Sequence, residues 1–265
     1  MEAILYIRQA LKIFRQMSKF QKEILDLDVL VLCGGLGTRV KDILGNTPKS
    51  MARINELPFL DLIINQLKKN GISKAIFCVG FESKKIIEHY ESRKDFICIF
   101  SKEDIPLGTG GAIKNALKHI KTESFIVLNG DSICDINFSF FHSYHLAKKA
   151  FISIAVVENL NSNNRDFGSI FLDDNSRINS FHEKKKEEHF TCVASYINAG
   201  VYLFNKRIFN FFSHKNKSFS LENDIFPEII AKKNCFAFIL KGKFYDIGTK
   251  ERLANAEKNL SIFFD

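Results

Sequence analysis

The sequence predicts a doubly wound α/β fold: a mixed, mainly parallel sheet with helices on both faces and one amphipathic helix appended ahead of it. Three observations carry this expectation. Runs of strand length alternate with helical stretches. The runs are apolar throughout instead of alternating with polar residues, as strands buried on both faces require. The residues before Asp28 follow a helical spacing.

Residues 1–27 place Ile4, Ile7, Leu11, Phe14, Phe20, Ile24 and Leu27 at intervals of three, four and six residues, which makes an amphipathic helix. A helix of this length is marginal in water without packing. Its basic residues Arg8, Lys12, Arg15, Lys19 and Lys22 are nearly balanced by Glu2, Glu23, Asp26 and Asp28. Packing within the protein or across a homo-oligomer is therefore expected ahead of adsorption to anionic lipid.

From Asp28 the chain forms one domain, residues 28–265. Strands are read at Val29–Cys33, Ala75–Val79, Ile97–Phe100 and Phe125–Leu128, with helices at 58–70, 83–92 and 110–121. Pro58 opens the first helix and Gly71 stops it. The second half mixes a hairpin over Gly168 to Glu183, turning on Asp173-Asp174-Asn175-Ser176, with strands near 151–157, 195–204 and 235–240. Helices follow near 205–213, 222–233 and 249–260.

Composition fits one large globular domain. The chain has 265 residues, of which 46% are hydrophobic and 27 are phenylalanine, enough apolar material for a sizeable core. With 38 basic and 30 acidic residues, the net charge of +8 favours anionic partners, nucleic acid or phosphorylated small molecules. No RNP-type aromatic motif, zinc-finger spacing or basic-region heptad points to nucleic acid. Cys33, Cys78, Cys98, Cys134, Cys192 and Cys235 are widely spaced, without a CxxC pair, and read as reduced thiols. Charged residues interrupt any secretory h-region, and no run of about 18 apolar residues spans a membrane. A cytoplasmic protein is expected.

Five segments can do chemistry. The first strand runs into Gly34-Gly35-Leu36-Gly37-Thr38-Arg39, at the carboxyl edge where parallel sheets bind ligands. Glycines there let backbone N–H groups approach an anion, and Arg39 can fork onto phosphate oxygens. A dinucleotide fingerprint fails at Val40, no GK[ST] follows for a P-loop, and a structural turn is the competing reading. Pro48-Lys49-Ser50-Met51 stiffens the chain and presents Lys49 as a point charge; a lone lysine is usually solvated surface. Leu107-Gly108-Thr109-Gly110-Gly111-Ala112 opens a helix and offers N–H groups to a nucleobase edge or a phosphate, or else is a flexible turn. Asn129-Gly130-Asp131 ends the fourth strand, and Asp246-Ile247-Gly248-Thr249 supplies a second aspartate. Each alone is an ordinary turn residue, but a carboxylate pair facing a phosphate site suits a divalent cation such as Mg²⁺.

Taken in order over about residues 28–260, these segments resemble the sugar-1-phosphate nucleotidylyltransferases. The wording of Leu107 to Ala112, Cys33 before the paired glycines and Ser220-Leu221-Glu222-Asn223-Asp224-Ile225-Phe226-Pro227 are most similar to the heptose- and mannose-1-phosphate guanylyltransferases. The resemblance implies a Rossmann-like nucleotidyltransferase fold and transfer of a nucleoside monophosphate from an NTP, GTP above all, to a sugar 1-phosphate. It implies nucleotide contacts from Gly34, Gly35, Gly37, Thr38, Arg39, Lys49, Gly108, Thr109 and Gly110. Sugar-phosphate contacts would come from Gly111, Glu183, Lys184 and Asn198, and Mg²⁺ would sit on Asp131 and Asp246. Arg39, Lys49, Asp131 and Lys184 would carry catalysis. Glu222 reads equally as a helix-start carboxylate. Ser50 stands where many relatives have a second proline, and the extension before Asp28 has no counterpart in the family pattern. The competing readings are a catalytically silent relative, which retention of Arg39, Lys49, Asp131 and Asp246 argues against, and the same reaction with another NTP and sugar.

Overall fold

The computed structural model describes residues 24, 26–159, 169–182, 196–212 and 218–260. The expected helix over 1–27 therefore lies outside the described residues except for Ile24, Asp26 and Leu27. Ile24 and Leu27 are buried in the main core, so the apolar stripe enters the domain at its end.

A mixed, mainly parallel sheet organises the chain. Strands β1 (Asp28–Leu32), β4 (Lys74–Val79), β5 (Ile97–Lys102) and β6 (Ser124–Asn129) form a parallel block in the order β6-β1-β4-β5. Strand β11 (Tyr196–Asn205) runs antiparallel against β6 and carries the sheet onward to β8 (Ile152–Glu158) and to the hairpin β9 (Ser169–Leu172) and β10 (Ile178–His182). Beyond β8 lies β12 (Cys235–Leu240), parallel to it. Two short ribbons complete the strands: β2 (Arg53–Ile54) with β3 (Leu57–Pro58), and β7 (Ser132–Cys134) with β13 (Phe244–Asp246).

Alternation along each strand divides the core between the two faces. Val29, Val31 and Phe77 pack with α2 (Phe59–Lys69), α3 (Ser83–Tyr90), α5 (Phe138–Lys148) and α7 (Lys250–Asn259). Leu30, Ile76, Cys78 and Phe125 pack on the other face with α4 (Gly108–Ala116) and α6 (Phe226–Ala231). Helices on both faces are what the apolar, non-alternating strands predicted. The entry to β1 is pinned by buried Asp28, which accepts the N–H groups of Lys121 at 2.6 Å and Thr122 at 3.0 Å and pairs with Lys74 at 3.2 Å. Burial alone would push that carboxyl up; these donors outweigh it and hold it below the usual carboxylate range.

Several expected boundaries move. The helix expected at 110–121 starts at Gly108 and passes into a 3-10 turn at Leu117–His119. The segment at 205–213 is a 3-10 turn, Lys206–Asn210, because the Asn205 side chain accepts from Arg207 N and tightens its start. The helix expected at 222–233 is a π-helical turn, Leu221–Ile225, followed by α6. Helices α1 (Lys41–Leu44) and α5 and strands β2, β3 and β7 have no counterpart among the expected elements. The α5 sequence FSFFHSYHLAK places aromatic residues around the whole helix, so the 3.6-residue contrast on which sequence reading depends is absent. Cys33, Cys78, Cys134 and Cys235 are free and buried and Cys98 is free and half-buried, in line with the expected thiols; burial pushes Cys134 up to about 12. No helix among the described residues is long and apolar enough to cross a membrane.

Candidate active site

The carboxyl ends of β1, β5 and β6 open onto one cavity of about 510 Å³. The parallel ladder decides which residues meet there. Its floor is set where Gly130 N donates to Leu32 O at 2.9 Å and Phe81 N to Gly34 O at 3.3 Å, bringing the loops after three strands together. Gly34, Gly35, Gly37, Thr38 and Arg39 form one wall, Lys49 and Ser50 the next, Glu103 and the 107–109 backbone the third, and Asn129, Asp131 and Gly248 the base.

Within the first wall, Gly37 has φ +58°, and a Cβ there would meet Lys49 Cβ at 3.2 Å, so glycine is demanded by both backbone and neighbour. Gly35 is different: a Cβ built on it meets nothing within 4 Å. The protein alone gives no reason for glycine there, whereas an anion lying on the loop backbone does. Gly35→Ala is accordingly expected to leave the melting temperature unchanged while raising the KM for nucleotide about tenfold or more, the scale of a lost hydrogen bond to a charged group. Thermal unfolding and steady-state kinetics of that variant check this.

At the base, the β7–β13 ribbon joins the two aspartates. Asp246 pairs with Ser132 in register, and Ile247 N donates to Asp131 O at 3.0 Å. Lys49 Nζ lies 2.5 Å from Asp131 Oδ2, and Arg252 Nη1 lies 3.2 Å from Asp246 Oδ1, which also accepts Gly248 N at 2.9 Å. Burial raises Asp246 above the ordinary aspartate range despite Arg252, and the charge of Asp131 adds to the rise. A cation between the two carboxylates would relieve that penalty, and an oxygen-only donor pair fits a hard divalent ion whose remaining ligands are water and phosphate. Among the described residues no group of three or more His, Cys, Asp or Glu side chains is placed to hold a metal ion.

The third wall corrects one expectation. The N–H groups of Gly110 and Gly111 are not available to a ligand: both donate to Phe219 O, at 3.0 and 3.2 Å. Gly108 has φ +69°, and a Cβ on it would come within 2.6 Å of the same oxygen. Neither Gly110 nor Gly111 lines the cavity, while Gly108 and Thr109 do. Asn198 also stands off it: its side chain donates to Tyr202 Oη at 2.7 Å and accepts Gly200 N at 2.9 Å. Glu183 and Lys184 lie outside the described residues.

One charged cavity residue, Glu103, has no counterpart among the sequence-expected site residues. Glu103 directly follows β5, with Oε2 accepting Leu107 N at 3.1 Å, while Oε1 sits 3.1 Å from a Cβ built on Gly34; burial raises this carboxyl and the Leu107 amide partly offsets the rise. An acidic residue at the carboxyl end of a strand, four positions before the glycine segment, was the available signal. Ser50 is buried on the wall beside Lys49.

Known proteins share this sequence and fold. Residues 28–261 match the model of the nucleotidyl transferase family. The chain belongs to the nucleotidyl transferase family. It is 38% identical over 228 residues to the D-glycero-alpha-D-manno-heptose 1-phosphate guanylyltransferase of Campylobacter jejuni, covering 85% of this chain and 96% of that one. It is 33% identical to the enzyme of the same name from Aneurinibacillus thermoaerophilus over 238 residues, 89% of this chain and the whole of that one. The crystal structure of HddC from Yersinia pseudotuberculosis superposes with a TM-score of 0.76 at 33% identity, covering 88% of this chain and 99% of that one, and the same protein is known in complex with GMP-PN. This nucleotidyl transferase shares its fold with HddC and the bulk of its length with proteins named as guanylyltransferases.

Proposed function

We propose that the protein transfers GMP from GTP to a sugar 1-phosphate of the heptose or mannose type, releasing pyrophosphate and forming a GDP-sugar. The observation that carries this reading is the single cavity on which the 34–39 loop, Lys49, Glu103 and Asp131 converge, with Asp246 joined to its base, in a chain whose relatives are guanylyltransferases. A phosphate oxygen of the sugar 1-phosphate attacks the α-phosphorus of GTP in line, that P–O bond forms, and the bond to the β-phosphate oxygen breaks with its electron pair leaving on pyrophosphate. No general base is required, because the attacking monoester is largely dianionic near pH 7. What remains is alignment and neutralisation of two anions.

The residues divide that work by position. The 34–38 backbone and Arg39, exposed on the cavity wall, hold the departing pyrophosphate. Lys49 neutralises a phosphoryl group, with Lys184 serving the sugar phosphate beside Glu183. Gly111 and Asn198 act on the sugar side through the strands and loops they hold, since their polar groups are engaged within the protein. The metal is Mg²⁺, held by Asp131 and Asp246, and when bound it supplies positive charge against the phosphates. Cytoplasmic substrates, GTP and a sugar phosphate, need neither a membrane nor nucleic acid.

Guanine selectivity follows from Glu103. A carboxylate held by a backbone amide on the cavity wall offers acceptors to the adjacent N1–H and N2–H donors of guanine, whereas adenine places an acceptor at N1. Sites that hydrogen-bond a polar edge reject the analogue lacking it by on the order of 10⁴. Pyrophosphate release measured with each NTP, Mg²⁺ and a panel of sugar 1-phosphates should give the highest kcat/KM with GTP, and Glu103→Gln should erode that preference. A higher kcat/KM with UTP, CTP or dTTP for every sugar phosphate would remove the guanine assignment and leave the reaction class.

A further inference from the structure

The 107–111 loop is held from outside its own helix. Thr109 Oγ1 donates to Glu222 Oε2 at 2.8 Å and accepts Leu221 N at 2.8 Å. Ser220 Oγ donates to the same Glu222 oxygen at 2.7 Å while accepting the N–H groups of Glu222 and Asn223. Phe219 completes the clamp, its N–H donating to Leu107 O at 2.9 Å and its carbonyl receiving Gly110 and Gly111. Both hydroxyls are thus spent on one carboxylate oxygen, and a short segment beginning a π-helical turn fixes the geometry of a cavity wall it does not itself line.

The charge of Glu222 also reaches a second buried group. Its charge raises the phenol of buried Tyr202, after the larger effect of burial itself, and Tyr202 Oη is the group that accepts Asn198. A capping role for Ser220 explains its bonds to Glu222 N and Asn223 N, but not why Thr109, 113 residues away in sequence, spends its hydroxyl on Glu222.

We infer that Glu222 is a positioning residue for the nucleotide: through Thr109 it holds the 107–111 loop in its receiving geometry, so that GTP affinity depends on residues 219–222 although none of them lines the cavity. This rests on the reading of the cavity as the nucleotide site.

The test compares Glu222→Ala, Glu222→Gln, Thr109→Val and the Glu222→Ala/Thr109→Val double variant in steady-state kinetics and in amide hydrogen exchange of the peptide spanning 107–116. Glu222→Ala should raise the KM for GTP about tenfold or more, as expected for a lost charge-assisted hydrogen bond, with kcat and the KM for the sugar 1-phosphate within about threefold. Exchange at 107–116 should accelerate with it. Glutamine retains an oxygen that accepts both hydroxyls and should restore most of the affinity. Thr109→Val cuts the same link from the other side, so it keeps the test alive if Glu222→Ala does not fold, and the double variant should be no worse than the poorer single one. Unchanged exchange in a folded Glu222→Ala or Thr109→Val protein would overturn the inference. So would a KM rise confined to the sugar 1-phosphate, which would make Glu222 a sugar ligand, or a glutamine variant as impaired as alanine. Absence of turnover in the unmodified protein would instead strike the functional reading, and the exchange comparison would still decide whether Glu222 orders the loop.

Discussion

Asp131→Asn and Asp246→Asn are each expected to lower kcat by about 10³-fold or more while leaving the fold intact, because each removes a charge from the pair proposed to hold Mg²⁺. The two variants separate function from stability with particular clarity at Asp246. Folding raises the pKa of this carboxyl through burial, so it favours the protonated form. Its contribution to stability is complete below the ordinary aspartate range and is lost as pH rises through the raised value. At neutral pH the buried anion therefore works against the fold. Asparagine keeps an oxygen that can accept from Gly248 N and Arg252, and the Asp246→Asn protein should melt at or above the temperature of the unmodified one while losing turnover. Melting curves beside pyrophosphate-release rates at saturating Mg²⁺ check both halves. Near-normal turnover in either variant would remove that aspartate from the mechanism.

The same pair marks how far sequence reaches. Both aspartates were legible as strand-end carboxylates, because apolar runs ending in Gly-Asp or Asp-Ile-Gly are local signals. Their proximity was not: it depends on a ribbon of two three-residue strands, β7 and β13, whose register sets Asp246 opposite Ser132 across 114 positions of chain. The parallel block β6-β1-β4-β5 was readable from its unbroken apolar strands, and the antiparallel entry of β11 was not, since a strand buried on both faces looks alike in either direction. Gly110 and Gly111 were visible as glycines at a helix start, but the oxygen that occupies their N–H groups comes from Phe219, more than a hundred residues later. Glu103 was passed over because a lone acidic residue after a strand is common; what distinguishes it is its position against Gly34 and Leu107, a tertiary fact. Local chemistry is written in the chain, and its partners are written in the pairing of strands.

Lys49 yields the second large effect. In the structure its ammonium is 13% exposed and 2.5 Å from Asp131, so two groups with separate proposed tasks neutralise each other. With Mg²⁺ on Asp131 and a phosphoryl group on Lys49, as proposed, one ion pair would be exchanged for two contacts, each between opposite charges. Removing the ammonium would then cost twice: the phosphoryl group would lose a charge-assisted contact, and Asp131 would lose its paired cation. Lys49→Met, which keeps the apolar stem, is expected to lower kcat/KM by about 10²–10³-fold, on the scale of one catalytic electrostatic donor, with its larger share in kcat. Lys49→Arg should not restore it. A Cβ on Gly37 would touch Lys49 Cβ at 3.2 Å and one on Gly248 would lie 3.6 Å from Nζ, so the stem runs through a channel shaped for a compact ammonium and not for a planar fork. Steady-state kinetics of both variants, with melting curves to confirm folding, decide the matter: an arginine variant within a few-fold of the unmodified protein would mean that only the sign of the charge matters, and a methionine variant with unchanged kcat would confine Lys49 to binding.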